Sequence, residues 1–458
     1  MRELLEAAVE EALRAGAKFA EARATNVFAN RIEVRAGHVE RVVPYIELAG
    51  SVRSLVRTWG FASTTRLDRD SMLKAAARSA RMAKAASSAA RHEVVLAEVP
   101  VAEEEVRMGD VVDPREVPID EKLEVVLACD EAARAVDPRV VMTELRYEDR
   151  VVVRAFCNSE GTYVVETCPI TQLRMLITAK EGANVQTVTG RLSAAAGQEL
   201  LAYGDPLGMA ERLAKRAVEL LGAKKAPSGK TRVLVDNSIA ALLALCVGTL
   251  ASAELAASPS SPMGIFYGKL GQQVAAECLT ITDDPRAEGL TVAMCYDDEG
   301  VRAKPARVVE KGRLVSYLHS RATAASQGQE ANGRARAPSA LFMPMPLNTN
   351  TIIEPGDRVF EELLEELKDG LYLVGLVGAT VGRVVHCDCE GAYEVRGGEL
   401  GQPYRAASFT LDLGRDLLKV EAVGSDFDVV SLTLTSGELY YPICGGAPHL
   451  LFSEVAVR

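Results

Sequence analysis

Apolar positions in the first half of the chain follow a helical period in some segments and a strand period in others. Apolar residues three or four apart predict an amphipathic helix over residues 2–16. Alternating apolar and polar residues predict strands between residues 20 and 64 and again over 140–182. Further helices are predicted near 70–90, 120–136 and 206–221. This succession is typical of an α+β region.

From Thr231 onward the pattern changes to strands separated by glycine-rich turns, which predicts a mainly β second half. One run departs from it: SIAALLALCVGTLASAE, from Ser238 to Glu254, has no charge before its last residue. It is rich in alanine and shorter than the roughly 20 strongly apolar residues of a membrane span. We therefore interpret it as a buried helix.

Composition narrows the class of protein. Hydrophobic residues make up 48% of the 458 residues and charged residues 25%, which is typical of a soluble globular chain. The net charge of −11 disfavours direct binding to nucleic acid. Nine cysteines and an amphipathic N-terminus without a signal-peptide core predict free thiols in a reducing cytoplasm, with no membrane association.

One segment comes close to a phosphate-binding loop. In GAKKAPSGKT the pattern requires glycine at position 224, where the chain has Lys224. A strand-like run, RVLVD, follows where a phosphate site needs the N-terminus of a helix. We interpret the segment as a linker between the two halves.

The segment HCDCEG is a candidate metal site. If it forms a strand, Cys387 and Cys389 share one face and His386 lies on the other. Zinc needs three or four converging ligands, which Cys444 and His449 would have to complete. The simpler interpretation is a strand with buried cysteines and, farther on, a turn containing Cys444 and His449.

Several longer phrases occur in order along nearly the whole chain. They are WGFAST, PSGKTRVLVD, GIFYGKLGQQVAAECLTITDD, YDDEGVRAKPARVVEKGRLVSYLHSRATAASQGQEANGRARA, PMPLNTNTIIEPGD and KDGLYLVG. Together they resemble the TldD/PmbA family, and its TldD branch in particular. Members are named modulators of DNA gyrase or zinc metalloproteases. In this family, the resemblance implies, a TldD-type subunit pairs with a TldE (PmbA) subunit that lacks the metal. The pair degrades peptides and unfolded segments.

The resemblance also implies the fold class and the domains. We expect an α+β protein in which N-terminal mixed α+β domains precede a largely antiparallel β domain that carries one buried helix. The expected ranges are 1–110 for the first domain, 111–225 for a middle α+β segment and 226–458 for the C-terminal domain with a degenerate metal site.

The metal-binding motif of the TldD type is replaced in this chain. Members of that type carry the motif H-E-x-x-x-H on their zinc helix, in a context like LLHEAVGH. This sequence has LLALCVGT at the corresponding place. Ala244 and Thr249 align with the two histidines, and Leu245 aligns with the catalytic glutamate. Thr433 falls at the cysteine ligand, and Leu347 replaces the arginine of the family's P-R-M-T-N-T. We therefore expect no catalytic residue and no cofactor in this chain, although catalytic members bind zinc.

Three functional hypotheses follow. In the first, the chain is a non-catalytic partner or regulatory subunit of a TldD/TldE-type metallopeptidase, bound to a catalytic paralogue and capturing peptide substrates. In the second, it is an active metal-dependent hydrolase with ligands relocated to His386, Cys387, Cys389, Cys444 and His449. In the third, it is a stand-alone peptide-binding or scaffold protein that forms a homodimer.

Overall fold

Eight α-helices occur in the part of the chain that a computed structural model describes. That part comprises residues 1–90, 92–108, 112–257, 263–287, 289–380, 382–436 and 439–458, with the side chains of 433–441 left aside. The helices are α1 Arg2–Arg14, α2 Arg69–Ser87, α3 Ile119–Ala135, α4 Leu200–Tyr203, α5 Pro206–Gly222, α6 Asn237–Leu250, α7 Arg321–Gln327 and α8 Phe360–Leu367.

Seven strands form one sheet in the N-terminal half. They are β1 Phe19–Arg35, β2 His38–Leu55, β3 Trp59–Thr64, β4 Glu103–Arg107, β5 Val140–Asn158, β6 Tyr163–Glu181 and β7 Asn184–Ala194. Their order is β3-β2-β1-β5-β6-β4, with β7 also paired to β6. All pairs are antiparallel except β4 with β6. Helices α1 and α2 cover one part of this sheet, and α3 and α5 another.

The C-terminal half contains sixteen described strands, most of them short. They are β8 Lys224–Lys225, β9 Gly229–Val235, β10 Ile281–Asp283, β11 Ala306–Glu310, β12 Arg313–Leu314, β13 Ala335–Arg336, β14 Met345–Pro346, β15 Asn350–Ile353, β16 Gly370–Thr380, β17 Val384–Arg396, β18 Glu399–Arg405, β19 Ser408–Asp412, β20 Val420–Val423, β21 Asp428–Ser436, β22 Leu439–Ala447 and β23 Leu450–Val457.

These strands build two larger sheets and one two-stranded ribbon. One sheet has the order β12-β11-β10-β15-β22-β21, and the other runs β16-β9-β23-β19-β17-β18-β8. Strand β16 also pairs with β17, so five strands of the second sheet close into a ring. Most pairs are antiparallel, and the exceptions are β15 with β22, β9 with β16 and β8 with β18. The α+β class and the largely antiparallel C-terminal half are therefore confirmed.

Two polar segments between the predicted elements contribute short strands. The acidic segment after α2 contains β4, whose backbone pairs with β6. The segment expected to be a linker contributes β8 and the first residues of β9 to the C-terminal sheet. In both segments, backbone hydrogen bonds to a distant strand decide the conformation, and the local composition does not reveal that partner.

The apolar run after Asp236 forms α6, and the helix is enclosed by the two C-terminal sheets. Every residue from Ile239 to Leu250 is buried. The carboxylate of Asp236 caps the helix by accepting the Ile239 N–H at 3.0 Å, and it also accepts the Gly375 N–H at 2.7 Å. Among the described helices, none combines the length and apolar character that a membrane span requires.

A buried ion pair connects the elements around α6. The guanidinium of Arg334 donates to Asp283 Oδ1 at 2.6 Å, and both side chains are fully buried. Asp283 also accepts the backbone N–H of Thr349 at 2.8 Å and the hydroxyls of Thr349 and Thr351 at 2.6 and 3.0 Å. Arg334 donates further to backbone carbonyls of Lys304 and Asn332, each at 2.6 Å. Each charge is thus surrounded by several partners, the condition under which a buried pair is tolerated.

We expect Asp283→Ala to lower the free energy of unfolding by about 3–5 kcal/mol, because it leaves the Arg334 charge buried without its carboxylate. Urea unfolding followed by circular dichroism measures this loss. The matched control is Glu330→Ala, which removes a carboxylate that pairs with Lys304 and is 91% exposed. That control should change stability by less than about 0.5 kcal/mol, and equal effects of the two variants would contradict the prediction.

One carboxyl group links the two halves of the molecule directly. Glu390 of β17 accepts the backbone N–H of Thr189 in β7 at 2.8 Å. Burial raises the pKa of Glu390 to about 7, and Asp236 adds to this, while the Thr189 N–H and Arg216 act in the opposite direction. Between pH 4.5 and 7 the folded chain therefore carries a proton on Glu390 that the unfolded chain lacks.

This contribution to stability should be fully present below pH 4.5 and lost as the pH rises through 7. Glu390→Gln keeps an acceptor for the Thr189 N–H and cannot ionise. We expect it to match the native chain near pH 5 and to be more stable near pH 8 by roughly 3 kcal/mol. Urea unfolding at both pH values measures the difference. Glu399→Gln, on exposed β18, should follow the native profile, and the same profile for Glu390→Gln would contradict the assignment.

Candidate functional site

A cavity of about 1240 Å³ lies between the N-terminal sheet and α6. One wall consists of residues from β1, β5, β6 and β7. The other consists mainly of residues from α6, β16, β21 and β22 together with the segment around β14. A space of this size between two parts of a protein is a common setting for a binding or active site.

Three of the five positions at which the sequence departs from the TldD motif line this cavity. They are Leu245 and Thr249 on α6 and Leu347 after β14. Ala244, aligned with the first histidine, is completely buried in the core around α6 and does not line the cavity. Thr433 lies in β21 with its backbone paired to Pro442, and its side chain is outside the described part of the structure. Its neighbours Leu432 and Pro442 line the cavity.

The hydroxyl of Thr249 is engaged by its neighbours within the protein. Its Oγ1 lies 2.9 Å from the Leu245 carbonyl oxygen and 3.1 Å from the amide oxygen of Asn348. The Asn348 amide in turn donates to Thr351 Oγ1 at 2.9 Å. Thr351 is one of the residues bound to Asp283, so the cavity side of α6 is tied to the buried ion pair.

A second buried arginine, Arg336, connects the segment that carries Leu347 to β22. Arg336 donates to the carbonyl oxygens of Asn348 and of Pro442, the latter at 2.9 Å. Burial lowers the pKa of Arg336 to about 10, so the side chain is still a cation at neutral pH. This contact fixes Pro442, and with it β22, against the segment that carries Leu347.

The residues at the degenerate motif do not fit a zinc ion. Alanine and leucine have no ligand atom, and a threonine hydroxyl is a poor zinc ligand. The nearest thiol on the helix, Cys246, lines the cavity, but burial raises its pKa to about 12, so it stays protonated at neutral pH. Within the described residues, no three His, Cys, Asp or Glu side chains are placed to hold one metal ion.

The five alternative metal ligands are spread over separate sites. His386 is exposed, with Nδ1 2.9 Å from Thr410 Oγ1, whereas Cys387 and Cys389 point into the core, as the alternation predicts. Cys444 is buried with its sulfur 3.9 Å from Ser431 Oγ. His449 lies between the Asp426 carboxylate at 2.6 Å and the Tyr372 hydroxyl at 2.8 Å. The structure gives these residues no common centre.

Sequence reasoning missed the charged wall of the cavity. Five arginines and one glutamate line it: Arg31, Arg146, Glu148, Arg150, Arg174 and Arg191. They come from four strands, which the sheet register places side by side. The alternation of charges in LRYEDR places residues 146, 148 and 150 on one face of a strand, and this was the one available signal.

Three family models cover most of the chain. They are PmbA/TldA metallopeptidase domain 1 at residues 20–83, the central domain at 112–221 and the C-terminal domain at 228–458.

Curated relatives include a metalloprotease of Methanocaldococcus jannaschii, 30% identical over 426 residues and 92% of each chain. A zinc metalloprotease TldD homologue of Saccharolobus solfataricus is 23% identical over 98% of each chain. Among solved structures, TldE from Thermococcus kodakarensis aligns with a TM-score of 0.79 at 17% identity over 99% of both chains. A Thermotoga maritima protein named as a modulator of a DNA gyrase aligns with a TM-score of 0.80 at 22% identity over the whole of both chains. These structural matches show the fold.

We expect Gly248→Ala to destabilise the protein, although alanine favours helices over glycine by roughly 1 kcal/mol. A Cβ at Gly248 would lie 2.3 Å from Thr351 Oγ1 and 3.0 Å from Asn348, both held by hydrogen bonds. Thermal and urea unfolding should show a loss of about 2 kcal/mol. In the control Gly222→Ala, at the end of α5, the Cβ meets no atom within 4 Å, so that variant should be neutral or stabilised. A stabilised Gly248→Ala would show that α6 is packed less closely than the structure indicates.

Proposed function

Because the chain belongs to the PmbA/TldD metallopeptidase family, we propose that it is a non-catalytic, peptide-binding subunit that works with a catalytic paralogue. The proposal rests on one observation above the others. The cavity remains open beside α6, while the helix presents Leu245 and a hydrogen-bonded Thr249 to it where the family's catalytic glutamate and second histidine align. A site of this kind can hold a substrate but has no side chain there to activate water.

The walls of the cavity suit a peptide. The α6 side offers aliphatic surface from Leu242, Leu245, Leu347, Leu432 and Ile443. Such surface accepts the side chains of many sequences, and polar groups on the opposite wall can orient the chain. This combination supports capture of peptides or unfolded segments, the substrate class that the family resemblance implies.

An exposed strand segment supports association with another subunit. Strand β3 pairs with Gly50–Leu55 of β2, and in the described structure the earlier part of β2 has only β1 as a neighbour. That part exposes Val39, Val42, Val43, Ile46 and Leu48. Exposed apolar side chains along a free strand edge are typical of surfaces that another chain covers. We assign this edge to the catalytic paralogue.

The proposed compartment is the cytoplasm. All nine cysteines are free thiols, and seven of them are buried. Free thiols persist under the reducing conditions of the cytoplasm.

Elemental analysis of the untagged chain should find zinc, iron and manganese far below one ion per chain, and the chain alone should not hydrolyse peptides. Co-expression with a paralogue from the same source that carries H-E-x-x-x-H should give a complex by size-exclusion chromatography with light scattering. That complex should contain metal and cleave peptides.

Two results would contradict the proposal. Stoichiometric metal together with hydrolysis by the chain alone would restore the hydrolase with relocated ligands. Peptide binding by a homodimer that forms no complex with the paralogue would favour the stand-alone binding protein. A matched control is the paralogue with its motif glutamate changed to glutamine, which should still form the complex but cleave nothing.

A further inference from the structure

Three arginines lie directly opposite one another in the charged wall of the cavity. In the register of the sheet, Arg146 of β5 faces Arg174 of β6, and Arg174 faces Arg191 of β7. Directly opposed residues in a sheet have Cβ atoms about 4.5–5.5 Å apart, and like charges at that spacing repel. We call Arg146, Arg174 and Arg191 the arginine row.

Carboxylates within the protein balance this row only at one end. Arg146 lies 3.7 Å from Glu33 and 3.9 Å from Glu148. Among the described residues, Arg174 and Arg191 form no ion pair with a carboxylate. Arg174 and Arg191 are both exposed to solvent, so they are free to bind a ligand. Partial desolvation and the neighbouring Arg174 lower the pKa of Arg191.

Beside the arginine row, Arg31 of β1 and Arg150 of β5 add positive charge to the cavity wall. Glu148 lies 2.6 Å from Arg31 and 3.4 Å from Arg150, so one carboxylate is shared among three arginines, Arg146 included. The buried Nε of Arg150 makes this ion pair with Glu148 but no hydrogen bond in the described structure. With five arginines and one glutamate, the cavity wall is strongly positive, although the whole chain carries a net charge of −11.

The arginine row reaches the opposite wall. Arg191 Nη1 donates to the backbone oxygen of Ser431 in β21 at 2.9 Å. Residue 431 immediately precedes Leu432, which belongs to the aliphatic side. A ligand between the walls therefore contacts guanidinium groups on one side and aliphatic side chains on the other.

We propose that the cavity selects peptides that present carboxylate side chains on one face and aliphatic side chains on the other. An extended peptide places successive side chains on opposite faces, so alternating acidic and aliphatic residues match the two walls. Guanidinium groups bind carboxylates through charge-assisted, often bidentate, hydrogen bonds. This inference rests on the proposed peptide-binding role and adds the substrate class to it. A nucleic acid fits less well, because the described residues of the cavity wall include no aromatic side chain for base stacking.

The test is fluorescence polarisation with the full chain and labelled, C-terminally amidated peptides of alternating Glu and Leu. Matched peptides carry Gln or Lys in place of Glu. We expect the Glu peptide to bind at least about tenfold more tightly than the Gln peptide at low salt, with the difference shrinking as salt is added. A Gln–Leu peptide with a free C-terminus tests whether a terminal carboxylate alone is enough.

The double variant Arg174→Gln, Arg191→Gln should reduce the preference for Glu over Gln to less than about threefold. Its melting temperature should be unchanged or higher, because the substitutions relieve the repulsion within the row. Arg81→Gln, which removes an exposed charge on α2, should leave the preference intact. A double variant that loses the preference only because it unfolds would overturn the assignment, as would one that retains the preference.

The remaining outcomes separate this inference from the proposed function. Equal binding of the Glu, Gln and Lys peptides would overturn the inference and leave peptide capture standing. Failure of every peptide to bind would overturn both. A single-stranded oligonucleotide or inorganic phosphate could compete more strongly than the unlabelled Glu peptide. That result would show that the arginine row binds phosphates, and it would overturn the inference.

Discussion

The buried carboxylate of Asp283 is the contact on which the site side of the molecule depends. It binds Arg334 and the Thr349–Thr351 segment, and through Thr351 and Asn348 it is connected to Thr249 of α6. Burying an ion pair is costly unless the remaining hydrogen-bonding capacity is used, and here both partners are surrounded. Because the network is internal to the protein, it holds α6 against β15 without help from a metal. The position of α6 beside the cavity therefore agrees with the proposed role, in which the helix carries no metal ligand.

The replacements on α6 form a consistent set in physical terms. A histidine or glutamate turned into the core would need a partner or would shift its pKa towards neutrality, at a cost to stability. Ala244 is packed into the core, Leu245 contributes aliphatic surface to the cavity, and Thr249 satisfies its hydroxyl within its own helix and with Asn348. At each of these positions the side chain that is present is packed or hydrogen-bonded within the protein.

The sequence indicated α6 well, because an uncharged run after the capping residue Asp236 leaves few alternatives to a buried helix. It also indicated the alternation that buries Cys387 and Cys389. The sequence alone could not predict that the arginines form one wall, and the reason is physical. Arg146, Arg174 and Arg191 lie on three strands, and their alignment depends on the register of two hairpins, which local composition does not specify. Likewise, nothing near Asp283 in the sequence points to Arg334, since the pairing depends on packing between distant segments.

The contrast between the acidic chain and its basic cavity has a consequence for recognition. Long-range attraction is screened over about 10 Å at moderate salt, so the net charge of −11 acts mainly on approach and the arginines act mainly on what has entered. On the proposed substrate class, an acidic peptide is mildly repelled by the surface as a whole and held only where guanidinium groups are concentrated. A basic segment is attracted to the surface but meets repulsion in the cavity. Discrimination of this kind uses unfavourable contacts as well as favourable ones. In the proposed function, such discrimination would let a non-catalytic subunit influence which peptides reach its catalytic partner.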